Sequence, residues 1–396
     1  MSVSAPTVTA APAKKRLLVF LDGTWNAVGS NTNVWRMKSL CARAGTQGEE
    51  QRVYYDIGVN GFWGGTVGKG LSDNVREAYE WLMDNYDEGD DIFVFGFSRG
   101  AYTARSVAGL VAKHGLLRPG SPLGTGQLFA RYKRSDDRTL WKLLELRDAG
   151  TLNDATLEER WLMKYSQPVH IKMVGVWDTV GTVGVPLFSF EGISRSTFGF
   201  LHTGLRISID NGYHALAIDE HRKDFAPTLW TVRKPLEPGA VVAKPRAIES
   251  VEQRWFAGAH ANVGGGCESD ILAQAPLRWM MKKASGHGLA FRQDVEIDGD
   301  LLTAPISDSY REFAKGMYSK VYSRSYRELG GEPKTLEGGI HTTVNETIDA
   351  SVFNRWRQSS EYRPPTVVEW AARKKVDPAA FMHSIRADTP SVVAPD

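Results

Sequence analysis

The residues best suited to chemistry lie between Ile92 and Ala101, in the run IFVFGFSRGA. An apolar, β-prone stretch ends in the pattern Gly-x-Ser-x-Gly, formed by Gly96, Ser98 and Gly100, and then continues into a helix-like sequence. This strand–turn–helix order is the context in which a sharp elbow presents a serine as a nucleophile. Glycines are needed where strand and helix approach closely, and a helix N-terminus favours developing negative charge. We therefore interpret Ser98 as a candidate nucleophile.

A serine hydroxyl needs a general base, and the base needs an acidic residue that orients it. In α/β-hydrolases the acid and then the histidine follow the serine along the chain. Asp178 ends the apolar run HIKMVGVW and begins a turn, so it is the predicted acid, with Asp210 and Asp219 in reserve. His260 ends the run RWFAGA before a glycine-rich loop and is the predicted base. The structural alternatives are a capping aspartate and a histidine satisfied within the core.

Ester hydrolysis also needs N–H donors aimed at the oxyanion of the tetrahedral intermediate. The first donor is predicted to be the main chain of Arg99, which directly follows Ser98. The second is predicted in the loop LDGTWN after the first strand, where either Gly23 or Thr24 would supply the N–H.

Two competing motifs fail on the residues they require. The sequence DGT at 22–24 resembles part of the haloacid-dehalogenase phosphatase pattern, but Phe20 stands where that pattern needs its nucleophilic aspartate. The run GGTVGKG at 64–70 resembles a phosphate-binding P-loop, but it is one residue short. It also ends in Gly70 where a serine or threonine would hold Mg²⁺.

The elements that must position these residues alternate between strands and helices. Helical spacing predicts helices over 72–87, 101–114 and 270–284, and a mainly helical insertion over 116–168. Such alternation predicts an α/β protein with a mostly parallel central sheet covered by helices on both faces, as in the α/β-hydrolase fold. Strands are predicted at 16–22, 52–59, 92–97, 170–177, 228–232 and 253–259.

The chain divides into three predicted parts. Residues 1–14 are rich in Ala, Pro, Ser and Thr and are predicted to be a disordered tail. Residues 15–300 form the catalytic domain, with insertions at about 116–168 and 180–205, and 301–396 form a helical C-terminal extension packed on the core. The insertion at 180–205 has no regular periodicity, which predicts a lid or pocket wall containing Phe188 and Phe190. The alternative is that these phenylalanines fill the core.

Composition excludes several other classes of protein. The chain has 396 residues, 42% of them hydrophobic, and its 48 basic and 46 acidic residues give no electrostatic basis for binding nucleic acid. Cys41 and Cys267 form neither a disulfide framework nor a metal-binding spacing, so no metal and no cofactor is predicted. A signal-peptide pattern and an apolar run of ~18 residues are both missing. We therefore expect a cytoplasmic protein, whose export would need a signal-independent route.

Six segments of the chain carry a family resemblance when they are taken together. They are FLDGTWN, GLSDNVREAYEWL, FGFSRGAYTAR, GVWDTVG, YHALAIDEHR with FAPTLW, and WFAGAHANVGGG. In this order they resemble the catalytic domains of type VI secretion phospholipase effectors, a family long catalogued as a domain of unknown function. The resemblance covers about residues 15–285. It implies an α/β-hydrolase fold, a triad of Ser98, Asp178 and His260, and lipolytic esterase activity of phospholipase A type.

The leading functional hypothesis is a serine esterase or lipase that cleaves acyl esters, including phospholipids, through an acyl-enzyme intermediate. The same triad would also serve an amidase or a thioesterase, because the nucleophile does not fix the leaving group. The non-enzymatic alternative is an inactive hydrolase fold that serves as an interaction module. As partners we expect an acyl ester or phospholipid substrate, transient contact with a membrane surface, and an immunity or secretion protein.

Overall fold

The structure is a computed structural model that describes residues 14–23, 31–58, 67–134, 137–180, 208–235, 247–267, 269–336 and 339–393. Several predictions concern residues outside these ranges. They are the tail at 1–13, the loop residue Thr24, and most of the insertion at 180–205 with Phe188 and Phe190.

A large, mostly parallel sheet forms the centre of the described structure. The strands are β1 (Arg16–Leu21), β2 (Gln51–Asp56), β3 (Asp91–Phe97), β4 (Leu116–Leu117), β5 (Ser166–Gln167), β6 (Ile171–Trp177), β7 (Ile209–Ala217), β8 (Thr231–Pro235), β9 (Val251–Phe256), β10 (Lys334–Leu336), β11 (Gly339–Thr343), β12 (Glu346–Ile348) and β13 (Ile385–Arg386). The main sheet has the order β13-β12-β9-β7-β6-β3-β1-β2. Every neighbouring pair in it is parallel except β12 with β13.

Helices cover both faces of this sheet. They are α1 (Asn33–Leu40), α2 (Val67–Asn85), α3 (Arg99–His114), α4 (Thr125–Tyr132), α5 (Leu140–Asp148), α6 (Leu157–Tyr165), α7 (His260–Gly264), α8 (Ile271–Gly286), α9 (Ser309–Glu312), α10 (Tyr318–Val321), α11 (Ala350–Gln358) and α12 (Pro365–Lys374). The alternation of side chains along β1 shows the layering. Leu17, Val19 and Leu21 pack in the core with α2 and α3, whereas Leu18 and Phe20 pack in the core with α1 and α8.

The strand predicted at 228–232 is found slightly later in the chain, as β8, and it does not belong to the main sheet. Its place between β6 and β9 is taken by β7, while β8 pairs antiparallel with β11 in a separate three-stranded sheet. The sequence of β7 contains Asn211-Gly212, a pair typical of tight turns. In the sheet, the Asn211 side chain donates to the carbonyl of Lys172 on the neighbouring strand at 2.9 Å.

The C-terminal extension is more than a helical addition. Strand β12 pairs with β9 and continues the parallel sheet, and β13 closes that edge. The indole N–H of Trp255 on β9 donates to the Glu346 carboxylate at 2.8 Å. Phe353 of α11 and Trp370 of α12 are fully buried in the core at this edge. The extension therefore shares both a sheet and a core with the preceding residues.

Across the described ranges, no helix combines the length and the apolar character needed to cross a bilayer.

Candidate active site

Ser98 lies in a strained turn between β3 and α3. Its backbone has φ 58° and ψ −122°, a conformation that non-glycine residues rarely adopt and that costs about 1–3 kcal/mol. A side chain at Gly96 would come within 2.8 Å of the Ala101 Cα, and one at Gly100 would collide with the carbonyl of Leu21. The two glycines therefore allow the turn, which leaves the Ser98 side chain partly exposed at the carboxyl end of β3.

Asp178 follows β6, the strand next to β3, and is completely buried. Its backbone also has a positive φ of 39°, which turns the chain sharply at the end of the strand. The carboxylate Oδ1 accepts a hydrogen bond from the main-chain N–H of Ala217, at the end of β7, at 3.1 Å. Asp178 is therefore fixed at the same sheet edge as Ser98.

His260 begins α7, just beyond β9, and its imidazole lies between Ser98 and Asp178. Its Nδ1 is 2.6 Å from Asp178 Oδ2, and its Nε2 is 2.8 Å from Ser98 Oγ. An ionised carboxylate can only accept hydrogen bonds, so Nδ1 carries the proton and Nε2 is free to accept from the serine hydroxyl. The three residues predicted from the sequence thus form one hydrogen-bonded chain.

Two aromatic rings hold the imidazole from its sides. The ring of Phe97 lies 4.6 Å from that of His260, and the ring of Phe225 meets it edge-on at 5.2 Å.

The main-chain N–H of His260 donates to Glu220 at 3.3 Å. Burial alone would raise the pKa of Glu220, but its hydrogen bond to Arg222 and the charge of Arg222 lower that pKa to about 2.

The two reserve candidates for the acid, Asp210 and Asp219, lie at other positions than Asp178, which hydrogen-bonds the imidazole of His260. Asp210 lies near the start of β7, at the opposite end of the sheet, where it approaches the exposed His170 at 3.5 Å. Asp219 is buried and accepts from the main-chain N–H of Gly258 at 2.7 Å and from the hydroxyl of Tyr362 at 3.2 Å. Burial raises the pKa of Asp219 to about 6. Asp219 therefore supports the turn that precedes His260 without contacting the imidazole.

Two of the predicted oxyanion donors, Arg99 and Gly23, are among the described residues. Arg99 is the first residue of α3 and follows Ser98 directly. Gly23 follows Asp22 beyond β1, but its N–H donates to the carboxylate of Asp22 at 2.8 Å. The other candidate of this loop, Thr24, is outside the described residues.

Arg327 is a site residue that sequence reasoning missed. Its Nη1 and Nη2 donate to Asp178 Oδ1 and Oδ2 at 2.6 and 2.9 Å. Burial alone would raise the pKa of Asp178, but the charge of Arg327 and the hydrogen bond from His260 hold it well below its ordinary value. Arg327 lies in an unremarkable stretch, SRSYRELGG, far along the chain from any motif, so the sequence gives no signal for its role.

Among the side chains that the structure describes, no group of three or more His, Cys, Asp or Glu residues could hold a metal ion. Of the run at 64–70 that resembles a P-loop, the described part, Val67 to Gly70, is the first turn of α2.

Comparison with known proteins gives one family and a few distant relatives. Residues 15–283 match the family described as the T6SS phospholipase effector Tle1-like catalytic domain. An uncharacterized protein of Saccharomyces cerevisiae is 24% identical over 247 residues, which are 55% of this chain and 33% of the yeast protein.

Two solved structures are similar to this chain at 15% identity. The first is an uncharacterized protein from Pseudomonas aeruginosa, with a TM-score of 0.41 over 70% of this chain and 46% of that one. The second is the Tle1 effector bound to the VgrG spike of the type 6 secretion system, with a TM-score of 0.29 over 67% of this chain and 55% of that one. The chain thus spans about a third of the yeast relative and about half of each solved chain.

Proposed function

This chain belongs to the family of type VI secretion Tle1-like phospholipase effector catalytic domains, and we propose that it is a serine hydrolase that cleaves the acyl esters of phospholipids. The observation that carries the proposal is the hydrogen-bonded chain from Ser98 through His260 to Asp178. Its members come from the ends of three strands of one mostly parallel sheet. That arrangement is typical of the α/β-hydrolase fold, which we propose for residues 15–300 with 301–396 packed against them.

In the proposed mechanism, Ser98 Oγ attacks the acyl carbonyl while His260 Nε2 accepts the hydroxyl proton. Asp178 keeps the imidazole in the required tautomer and stabilises the imidazolium that forms. His260 then gives the proton to the leaving alcohol, and an acyl group remains on Ser98. Water, activated by the same histidine, attacks the acyl-enzyme and releases the fatty acid.

We propose that the oxyanion is stabilised by the main-chain N–H of Arg99 and by an N–H of the loop after β1. Within that loop we favour Thr24 over Gly23, because the Gly23 N–H already donates to Asp22. A donor occupied in this way would have to break a hydrogen bond before it could stabilise the oxyanion.

A lipid substrate is favoured by the surface next to the imidazole. Aromatic rings continue outward from Phe225 through Phe313 to Tyr318. Two apolar residues close to Tyr318 in the sequence, Met317 and Val321, are 67% and 74% exposed. Apolar side chains exposed beside a catalytic site fit contact with an acyl chain or a membrane surface better than contact with a peptide amide. We also keep Phe188 and Phe190 as proposed lining of the acyl pocket.

The proposed partners follow from the family. The Tle1 effector of the solved complex is bound to a VgrG spike, so we propose a secretion-spike protein, together with an immunity protein, as partners of this chain.

A substrate panel tests the proposed activity directly. The purified protein is assayed on phosphatidylcholine vesicles, on p-nitrophenyl butyrate and palmitate, on an acyl thioester and on an acyl anilide. We expect release of fatty acid from the vesicles and hydrolysis of both nitrophenyl esters, with Ser98→Ala inactive. Ser106→Ala is the matched control, because Ser106 lies on the same helix and donates to the carbonyl of Tyr102 one turn earlier. Faster cleavage of the thioester or anilide would replace the lipase proposal with one of its alternatives.

A further inference from the structure

Arg327 reaches the proposed site from the C-terminal extension, outside the residues that match the family. It lies between α10 and β10 and is only 6% exposed. Its two terminal nitrogens hold the two oxygens of Asp178 in a fork geometry, with distances of 2.6 and 2.9 Å. Paired hydrogen bonds of this kind fix the plane of a carboxylate as well as its position.

The same guanidinium is itself fixed by two further acceptors. Nη1 donates to the carbonyl of Ala217 at the end of β7 at 2.7 Å, and Nη2 donates to the carbonyl of Phe225 at 2.6 Å. Phe225 is also the residue whose ring packs edge-on against His260. One buried cation therefore connects the carboxylate, a strand end and a wall of the imidazole site.

We propose that Arg327 is a positioning residue for ester hydrolysis, which orients Asp178 toward His260 and limits the negative charge that the imidazole experiences. The inference rests on the proposed function, since it assumes that His260 acts as a general base. It also makes the C-terminal extension a required part of the active site.

The charges around His260 show why this cation matters. Asp178 hydrogen-bonds the ring, and Glu220 accepts from the main-chain N–H of His260. The opposing cations are Arg327 and Arg222, of which Arg222 stacks on Phe225 and is paired with Glu220. His214 interacts electrostatically with Asp178, with Arg105 and with Arg327. Without Arg327, the carboxylates would favour the protonated imidazole, which cannot accept the serine proton.

A groove of about 480 Å³ gives a way to test this proposal by chemical rescue. Arg327 lines it together with Tyr326, Glu328, Glu369, Ala372 and Arg373. In an Arg327→Ala variant, free guanidinium could therefore enter the space left by the side chain. We expect kcat to fall roughly 100-fold with little change in KM, and millimolar ethylguanidinium to restore much of it. Arg363→Ala is the control, because this exposed arginine donates to nearby carbonyls and stacks on the Trp356 ring, all within its own segment.

The pH profile separates positioning from simple structural support. Loss of the cation should shift the acid limb of the kcat/KM profile to higher pH. Arg327→Lys, which keeps the charge but not the fork, should retain the normal acid limb with reduced kcat, and it replaces Arg327→Ala if the latter does not fold. The inference would be overturned if the variant that folds keeps a normal kcat, counted per reactive serine, together with an unchanged acid limb of the kcat/KM profile. Ser98→Ala is assayed in parallel, because activity in that variant would reject the proposed function itself.

Discussion

An Asp178→Asn substitution replaces one oxygen with an amino group at a position where every neighbour is a hydrogen-bond donor. Oδ1 accepts from Arg327 Nη1 at 2.6 Å and from the Ala217 N–H at 3.1 Å. Oδ2 accepts from His260 Nδ1 at 2.6 Å and from Arg327 Nη2 at 2.9 Å. Asparagine offers a single acceptor oxygen, so its amino group faces two donors in either orientation.

The two orientations damage different properties. If the amino group faces His260, it favours the tautomer with the proton on Nε2, which cannot accept from Ser98, and kcat should fall roughly 10⁴-fold. If the amino group faces Ala217, His260 Nδ1 keeps an oxygen as its acceptor, but the hydrogen bond from the Ala217 N–H at the end of β7 is lost. Both orientations leave the buried guanidinium of Arg327 without a carboxylate, which should cost about 3–5 kcal/mol of stability.

The assay combines kcat on p-nitrophenyl butyrate with urea unfolding at neutral pH. Asp219→Asn is the matched control, because Asp219 is also buried and at a strand end but contacts Gly258 rather than the imidazole. The control should keep most of its activity. Near-normal activity in Asp178→Asn, or a larger loss of activity in Asp219→Asn, would show that the acid has been assigned wrongly.

The remaining predictions concern the elbow, the pH dependence of stability, and the thiols. Gly100→Ala should abolish activity and lower the melting temperature, because the added methyl group would collide with the carbonyl of Leu21; a fully active variant would contradict the elbow geometry. Burial raises the pKa of Asp219 from 3.8 to about 6, so the folded state retains a proton that the unfolded chain has lost. Its contribution of about 3 kcal/mol is complete below pH 4 and disappears as the pH rises through 6. Asp219→Asn, which is neutral at every pH, should remove this pH dependence, and parallel pH dependences of unfolding in the two proteins would contradict the prediction. Burial raises the pKa of the Cys41 thiol to about 12 and also raises that of Cys267, so iodoacetamide should not inactivate the folded enzyme.

The sequence predicted that Ser98, Asp178 and His260 would lie near one another, because each follows an apolar strand. Parallel strands bring their carboxyl ends to one edge of the sheet, so the order Ser98, Asp178, His260 was enough to place the three residues together. The helices α2, α3 and α8 were predicted for a related reason, since their apolar spacing repeats over several turns.

What the sequence could not predict depends on tertiary context. Strand β7 contains Asn211-Gly212, whose local preference for a turn is overridden by burial between β6 and β9. The short strands β12 and β13 extend the sheet from a region with no periodic signal. Arg327 acts through a contact with Asp178 that spans 149 residues, and no local pattern marks such a pairing.

The proposed mechanism depends most on Ser98 being the nucleophile that His260 activates. An active-site fluorophosphonate, followed by peptide mapping, measures this most directly in the wild-type protein, Ser98→Ala and His260→Ala. We predict a single label on Ser98 in the wild type, no label in Ser98→Ala, and greatly slowed labelling in His260→Ala. A label on a different serine, or labelling of Ser98 at an unchanged rate without His260, would contradict the proposed mechanism.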